Sequence, residues 1–211
     1  KVGTSIYPGV DYAGRLYVAD LTTPKSLEEN IPFEMLTHAN IRGLVSKRSA
    51  DTHKGTYGHL FILAGSPGKS GAAALASIGA LRAGTMTEPI PETAQGTFGM
   101  VSISRAMEIM AAKKTAVAIG PGITVTDDAR DFLYEIIKAS PVPLLIDADA
   151  ITLVAKNPGI LKRAKAPVVL TPHPGEMSRL AGISTEDVQD DRIGVSLDFA
   201  REFGAYVILK G

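Results

Sequence analysis

The chain has 211 residues, 22 Lys+Arg against 22 Asp+Glu, 45% hydrophobic and 21% charged residues. That is the composition of a globular protein with one full-sized domain and a buried core, and its charge balance gives no reason to expect a nucleic-acid partner. With no cysteine, disulfides and thiolate metal sites are excluded. No run approaches the ~18 apolar residues of a membrane span, and Lys1-Val2-Gly3-Thr4 is not a signal peptide, so no membrane association and a cytoplasmic location are expected.

Residues 14–20 alternate in the manner of a strand and break at Thr22-Thr23-Pro24; a polar stretch then runs to about Ser49, with a short helix near 33–45. This first quarter reads as a connector or arm. From Tyr57 onward the texture changes to regular α/β alternation. The apolar run 59–64 closes at Gly65-Ser66-Pro67-Gly68 and predicts a buried strand ending in a tight loop. Residues 70–83 are small and Ala-rich, suited to a helix packed closely on a sheet. Further strands are predicted at 115–119, 143–147, 167–170 and 205–209, and helices at 126–139, 175–181 and 191–203. Near-continuous apolar strands between amphipathic helices argue for an α/β fold, a mostly parallel sheet with helices on both faces. One junction does not fit. The helix ending at Arg82-Ala83-Gly84 leads into residues 85–92, a poor strand with two prolines, and the chain stops at Lys210-Gly211 directly after an apolar run. Residues are therefore expected to be missing between Thr85 and Met86 and after Gly211.

In open parallel sheets, ligands sit beyond the carboxyl ends of the strands. The candidate loops are thus Gly65-Ser66, Gly120-Pro121-Gly122, Asp147-Ala148-Asp149-Ala150, the segment 171–176 and Lys210-Gly211. Gly120-Pro121-Gly122 either lets backbone come close to a ligand or simply makes a tight strand-to-helix turn. It is not a dinucleotide fingerprint or a P-loop. Asp147 and Asp149 could orient a metal-bound phosphate or a water, or one of them, Asp149, caps the helix that follows. Thr171-Pro172-His173-Pro174-Gly175-Glu176 is the most unusual segment. Two prolines stiffen it, a helix start offers free N–H groups to an anion, His173 can donate to a ligand, and Glu176 could hold Mg²⁺ or its water shell. The alternative is a capped helix start with Glu176 in its first turn. His53-Lys54-Gly55-Thr56-Tyr57-Gly58 is either a glycine-rich turn or an anion-contacting loop.

In order along the chain, these segments resemble the ADP/ATP-dependent NAD(P)H-hydrate dehydratases, a ribokinase-like family. The resemblance rests on 53–58, Leu63-Ala64-Gly65-Ser66 with Ser70-Gly71-Ala72-Ala73, Ala118-Ile119-Gly120-Pro121-Gly122, Ile146-Asp147-Ala148-Asp149-Ala150, 170–177 and Val207-Ile208-Leu209-Lys210-Gly211. Residues 7–15 resemble the closing segment of the epimerase domain that precedes the dehydratase in bifunctional bacterial members. The implied organisation is a tail of an epimerase-like domain at 1–25, a linker at 26–49 and a partial dehydratase domain at 50–211. The implied reaction is removal of water from the hydrated nicotinamide ring of NADHX or NADPHX, coupled to cleavage of ADP or ATP with Mg²⁺. By the resemblance, Gly122, His173, Pro174, Gly175, Glu176, Met177, Ser178 and Arg179 bind the hydrated dinucleotide, and Lys210 and Gly211 meet the adenine nucleotide. A homo-oligomer is expected, with no residue of the chain assigned as a metal ligand.

Two departures stand out. The glycine and strand that normally follow Ala83-Gly84 are replaced by Thr85-Met86, and Thr124 stands where glycine is usual. The Gly-Gly-Ser/Thr-Gly-Asp segment that supplies the family's anion hole and catalytic aspartate is expected beyond Gly211, so no catalytic residue is assigned and these 211 residues alone are expected not to turn over NADHX. The rival readings are a ribokinase-like kinase of a vitamin precursor and a non-catalytic nucleotide-binding module.

Overall fold

The apolar runs that end in glycine- and proline-rich loops pair with one another in chain order. In the computed structural model, which describes residues 2–17, 19, 22, 24, 26, 36–44, 51, 58–81 and 88–211, strands β1 (Leu60–Leu63), β2 (Ala116–Ile119), β3 (Leu144–Ile146), β4 (Val168–Leu170) and β5 (Tyr206–Val207) form one sheet in the order β1-β2-β3-β4-β5. Every pairing is parallel. The register sets Leu63 beside Ile119, Ile119 beside Ile146, Ile146 beside Leu170 and Leu170 beside Val207. All five strands lie where the apolar runs placed them, because a short continuous run bounded by turn residues has few other ways to bury itself.

The chain divides into two compact units, Lys1–Ala50 and Asp51–Gly211. In the first, α1 (Gly9–Ala13) follows a short 3-10 turn at Val2–Thr4, and α2 (His38–Leu44) falls within the expected helix near 33–45. No described side chain of this unit is buried. The strand expected at 14–20 is not formed at 14–17 or 19. An alternating pattern becomes a strand only when an edge pairs with it, and no strand does so among the described residues; instead the Arg15 guanidinium lies 5.4 Å from the centre of the Tyr17 ring.

In the second unit, α3 (Ser70–Leu81) follows β1 and packs against it. The remaining helices are α4 (Ile103–Ala111), α5 (Asp127–Ala139), α6 (Asp149–Ala155), α7 (Pro174–Ala181), α8 (Thr185–Asp190) and α9 (Arg192–Phe203). The helices expected at 126–139, 175–181 and 191–203 are present as α5, α7 and α9, each within a residue or two. The helix expected after Asp149 is present as α6, whereas the short α4 and α8 and the 3-10 turn Pro158–Arg163 were not anticipated. The Thr85–Met86 junction and the segment 53–57 lie outside the described residues.

Alternation along the strands divides the sheet's two faces. Phe61, Leu63, Val117, Ile119, Leu144, Ile146, Val168 and Leu170 are buried in one apolar cluster with side chains of α4 to α9. The alternate positions Leu60, Leu145, Tyr206 and Ile208 are exposed. Phe132 on α5 is fully buried and stacks on Phe98, with ring centres 5.0 Å apart and planes 12° from parallel. Phe132→Ala is expected to cost about 3–5 kcal/mol, measured by denaturant unfolding, whereas Tyr206→Ala should stay within about 0.5 kcal/mol. Similar losses for both would mean that the outer face is as well packed as the inner one.

Candidate functional site

Because the strands end flush, the loops that follow leave from one edge, and the parallel ladder continues into them. The Gly120 N–H donates to Leu63 O (3.2 Å), the Gly65 N–H to Pro121 O (2.9 Å), the Asp147 N–H to Ile119 O (3.0 Å) and the Thr171 N–H to Ile146 O (3.2 Å). On the far side, the Ile208 N–H donates to Leu170 O and the Lys210 N–H to Pro172 O, both at 2.8 Å. The last strand therefore runs on as an extended segment past its two assigned residues, carrying Lys210 and Gly211 alongside Pro172. Arg192 donates to the carbonyls of Lys210 and Gly211 and holds this segment from α9.

The glycines of the second loop are explained by the protein itself. A Cβ on Gly120 would lie 1.8 Å from Asp147 O, and one on Gly122 would lie 2.7 Å from Lys69 O. Both glycines also have positive φ, 138° and 72°. The Ser66 Oγ donates to Gly122 O at 2.7 Å, so the loops after β1 and β2 interlock. The close approach that glycine permits here is backbone to backbone.

Two carboxylates after β3 are each paired with a lysine from a different loop. The Lys210 Nζ donates to Asp147 Oδ1 at 2.7 Å, and the Lys69 Nζ donates to Asp149 Oδ2 at 3.0 Å. Asp149 does not cap its own helix, as one reading of the sequence had it: the N-cap position of α6 is Ala148 and no side chain caps it. Its Oδ2 instead accepts from the Thr124 N–H at 3.0 Å. Thr124 and Ala148 both have positive φ, 69° and 52°, which is costly for residues bearing a Cβ and most of all for a β-branched one. A glycine at position 124, which the family resemblance leads one to expect, would have a conformational reason.

The segment 171–179 is a capped helix start. The His173 N–H donates to Glu176 Oε2 at 2.8 Å, and the Gly175 N–H donates to His173 Nδ1 at 3.1 Å. That arrangement leaves Nε2 to carry the proton of a neutral ring, and Nε2 faces Glu176 Oε1 at 3.6 Å. The Glu176 and Met177 N–H groups donate to His173 O, and Pro174 has no N–H. The helix start is therefore not the open set of donors that the sequence suggested; its amides already have partners. Glu176 and Met177 are buried, while His173 and Arg179 are exposed, with Pro174 and Gly175 between these extremes. The Ser178 Oγ donates to Ile183 O at 2.7 Å, at the far end of α7. Gly211 comes against the segment, since a Cβ there would lie 3.7 Å from Pro174 Cδ.

The strand edge thus brings together Gly122, Asp147, Asp149, the His173–Gly175 turn, Lys210 and Gly211, and adds Lys69 and Thr124. Lys69 carries no local signal, because its partner is 80 residues away. Thr124 stood out only by the glycine it replaces. Two half-exposed ammonium groups offer anion contacts, an exposed imidazole offers a donor, and the edge is lined by tightly packed backbone. No three His, Asp or Glu side chains cluster to hold a metal among the described residues. No described helix is long and apolar enough to cross a membrane.

A family described as NAD(P)H-hydrate dehydratase matches residues 60–211. The chain is 35% identical to a bifunctional NAD(P)H-hydrate repair enzyme of Moorella thermoacetica, over 100% of this chain and 44% of that protein. It is 31% identical to an ADP-dependent (S)-NAD(P)H-hydrate dehydratase of Bacillus subtilis, over 86% of this chain and 67% of that one. It spans less than half the length of the bifunctional relatives. Among solved structures it is similar to an ADP/ATP-dependent NAD(P)H-hydrate dehydratase from Bacillus subtilis co-crystallised with ATP and Mg²⁺, with a TM-score of 0.60 and 28% identity over 87% of this chain and 68% of that one. A ribokinase-like superfamily protein from Enterococcus faecalis, with a TM-score of 0.60 and 18% identity over 79% of this chain and 62% of that one, shares the fold.

The strain at Thr124 predicts its own relief. A left-handed residue with a Cβ costs roughly 1–2 kcal/mol, partly offset by the larger unfolded-state entropy of glycine. Thr124→Gly is expected to raise unfolding stability by about 0.5–1 kcal/mol, read from the denaturant midpoint. A loss of stability would show that the threonine side chain contributes more than its backbone costs.

Proposed function

Since the chain belongs to the NAD(P)H-hydrate dehydratase family, we propose that it serves in nicotinamide nucleotide repair, dehydrating NADHX and NADPHX at the expense of ADP or ATP. The family match over residues 60–211 carries this reading, because it takes in all five strand-end loops from Gly65 to Lys210. The ring hydroxyl of the hydrate is a poor leaving group. In the proposed sequence its oxygen accepts the terminal phosphoryl group of the nucleotide. The ring C–O bond then breaks with phosphate leaving and a ring proton lost, giving NADH or NADPH and a nucleotide one phosphate shorter. Positioning and electrostatics dominate such chemistry.

On this reading the hydrated dinucleotide lies across Gly122 and the His173–Gly175 turn. Arg179 lies one turn beyond Gly175 on the same helix face and is exposed. Glu176 and Met177 support the turn from beneath, Glu176 by fixing the His173 amide and Met177 from the core; Ser178 holds the far end of α7. Lys210 and Gly211 meet the adenine nucleotide. Mg²⁺, with which the Bacillus subtilis enzyme was co-crystallised together with ATP, would be held chiefly by nucleotide phosphates and water, with Asp147 the carboxylate paired to the Lys210 ammonium. The protein is read as cytoplasmic and homo-oligomeric, with the dehydratase joined to an epimerase. The kinase reading shares the fold but not the family match.

His173 both caps α7 and faces outward, so the test must separate the two roles. Asn retains N-cap ability while removing the imidazole. In the intact gene product, His173→Asn is expected to raise KM for NADHX about tenfold, the effect of losing one good hydrogen bond, with the KM for ADP or ATP little changed. Equal losses for both substrates would count against the assignment, and a wild-type protein that leaves NADHX untouched would refute the function.

A further inference from the structure

The turn that follows β2 is gripped from three sides. The Ser66 hydroxyl donates to Gly122 O at 2.7 Å, and the Lys69 carbonyl fills the space where a Gly122 Cβ would be. The Asp149 carboxylate accepts the Thr124 N–H at 3.0 Å, and the same oxygen takes the Lys69 ammonium at 3.0 Å. Ser66 and Lys69 act on Gly122, which glycine allows to sit at φ 72°. Asp149 acts on the Thr124 amide; Thr124 reaches φ 69° against its own Cβ, and its hydroxyl donates to Ile123 O at 2.5 Å. A β-branched residue in that region returns to negative φ unless something holds its amide in place.

The carboxylate is placed for this purpose at some conformational cost. Ala148 adopts φ 52° and ψ −125°, and the first residue of α6, Asp149, does not cap the helix. An aspartate at a helix start ordinarily serves the helix's own amides; this one reaches 25 residues back in the chain to another loop. We propose that Asp149 is a positioning residue, which locks Thr124 in the left-handed conformation and thereby sets the shape in which Gly122 meets the hydrated dinucleotide. The functional half of this statement rests on the dehydratase reading above. The structural half, that Asp149 acts through the Thr124 backbone, does not.

If the carboxylate works by holding Thr124, then a residue that adopts positive φ unaided should make it dispensable. Four variants of the intact protein test this: Asp149→Asn, Asp149→Ala, Thr124→Gly and the double variant Asp149→Ala with Thr124→Gly. Amide exchange is followed at Thr124 and, as an internal control, at Val117, whose N–H donates to Pro143 O within the ladder. Asp149→Ala should speed exchange at Thr124 about tenfold or more, leave Val117 unchanged, and raise KM for NADHX about tenfold with kcat nearly constant. Asp149→Asn keeps an acceptor oxygen and should behave almost as wild type. The double variant should recover the NADHX KM while the amide at position 124 still exchanges fast. An equal rise at Val117, or no rise at Thr124, overturns the proposal, as does a double variant no better than Asp149→Ala. A wild-type protein that does not consume NADHX would remove the dehydratase reading and the role at Gly122 with it, while the exchange comparison would still decide whether Asp149 holds the turn.

Discussion

A parallel sheet leaves the carboxyl end of every strand on one edge, and here the register places Leu63, Ile119, Ile146, Leu170 and Val207 side by side. Nothing at the strand ends would meet without that alignment. The loops after β1, β2 and β3 are stitched by the same slanted hydrogen bonds that pair the strands, carried one or two residues further. The extended run through Ile208 and Lys210 does the same along β4. Burial of one face under α4 to α9 holds the register in place, since a one-residue slip would bring Ile62, Ala118, Leu145 and Val169 inward and turn Leu63, Ile119 and Ile146 to water.

Upon that frame, polar groups set local shape. The turns after β2 and β3 each hold a residue with a Cβ at positive φ, Thr124 and Ala148; the Thr124 amide is held by the Asp149 carboxylate, while Gly120 leaves room for the Asp147 carbonyl. The His173–Glu176 turn follows another principle. Its amides are satisfied locally by a reciprocal cap, so its outward face offers side chains and not bare backbone donors. An anionic group of a ligand would find its partners in lysine ammonium groups and an imidazole.

The strands were legible because continuous apolar runs such as Val168–Leu170 allow little else once bounded by Pro167 and Thr171-Pro172. The candidate loops were legible for the same reason: a strand's end names the residues that follow it. Segment 14–20 misled because alternation records amphipathicity and not the presence of a pairing edge. α4 escaped notice although Ala106, Ile109 and Met110 are its buried face, since a nine-residue helix gives a short periodic signal. What the sequence concealed at the site was partnership. The 171–176 segment stood out, but His173 serving as its own helix's cap could not be read from composition. The pairings Lys69–Asp149 and Lys210–Asp147 span 80 and 63 residues and have no local trace.

Those two pairings give the strand edge a particular electrical character. Each ammonium already has a carboxylate beside it and each pair is partly open to solvent, so the edge is close to neutral at rest. Where a phosphate takes the place of Asp147 on the Lys210 ammonium, the aspartate is released to water as it arrives. The number of close opposite-charge contacts is then the same before and after. Dissolved salt weakens contacts of this kind on both sides of the equilibrium, and affinity for an anion that binds here varies less with ionic strength than it would at a cleft of unpaired lysines. The same exchange disfavours ions that bring charge but little else, because a simple anion gains no more from the ammonium than the aspartate it displaces.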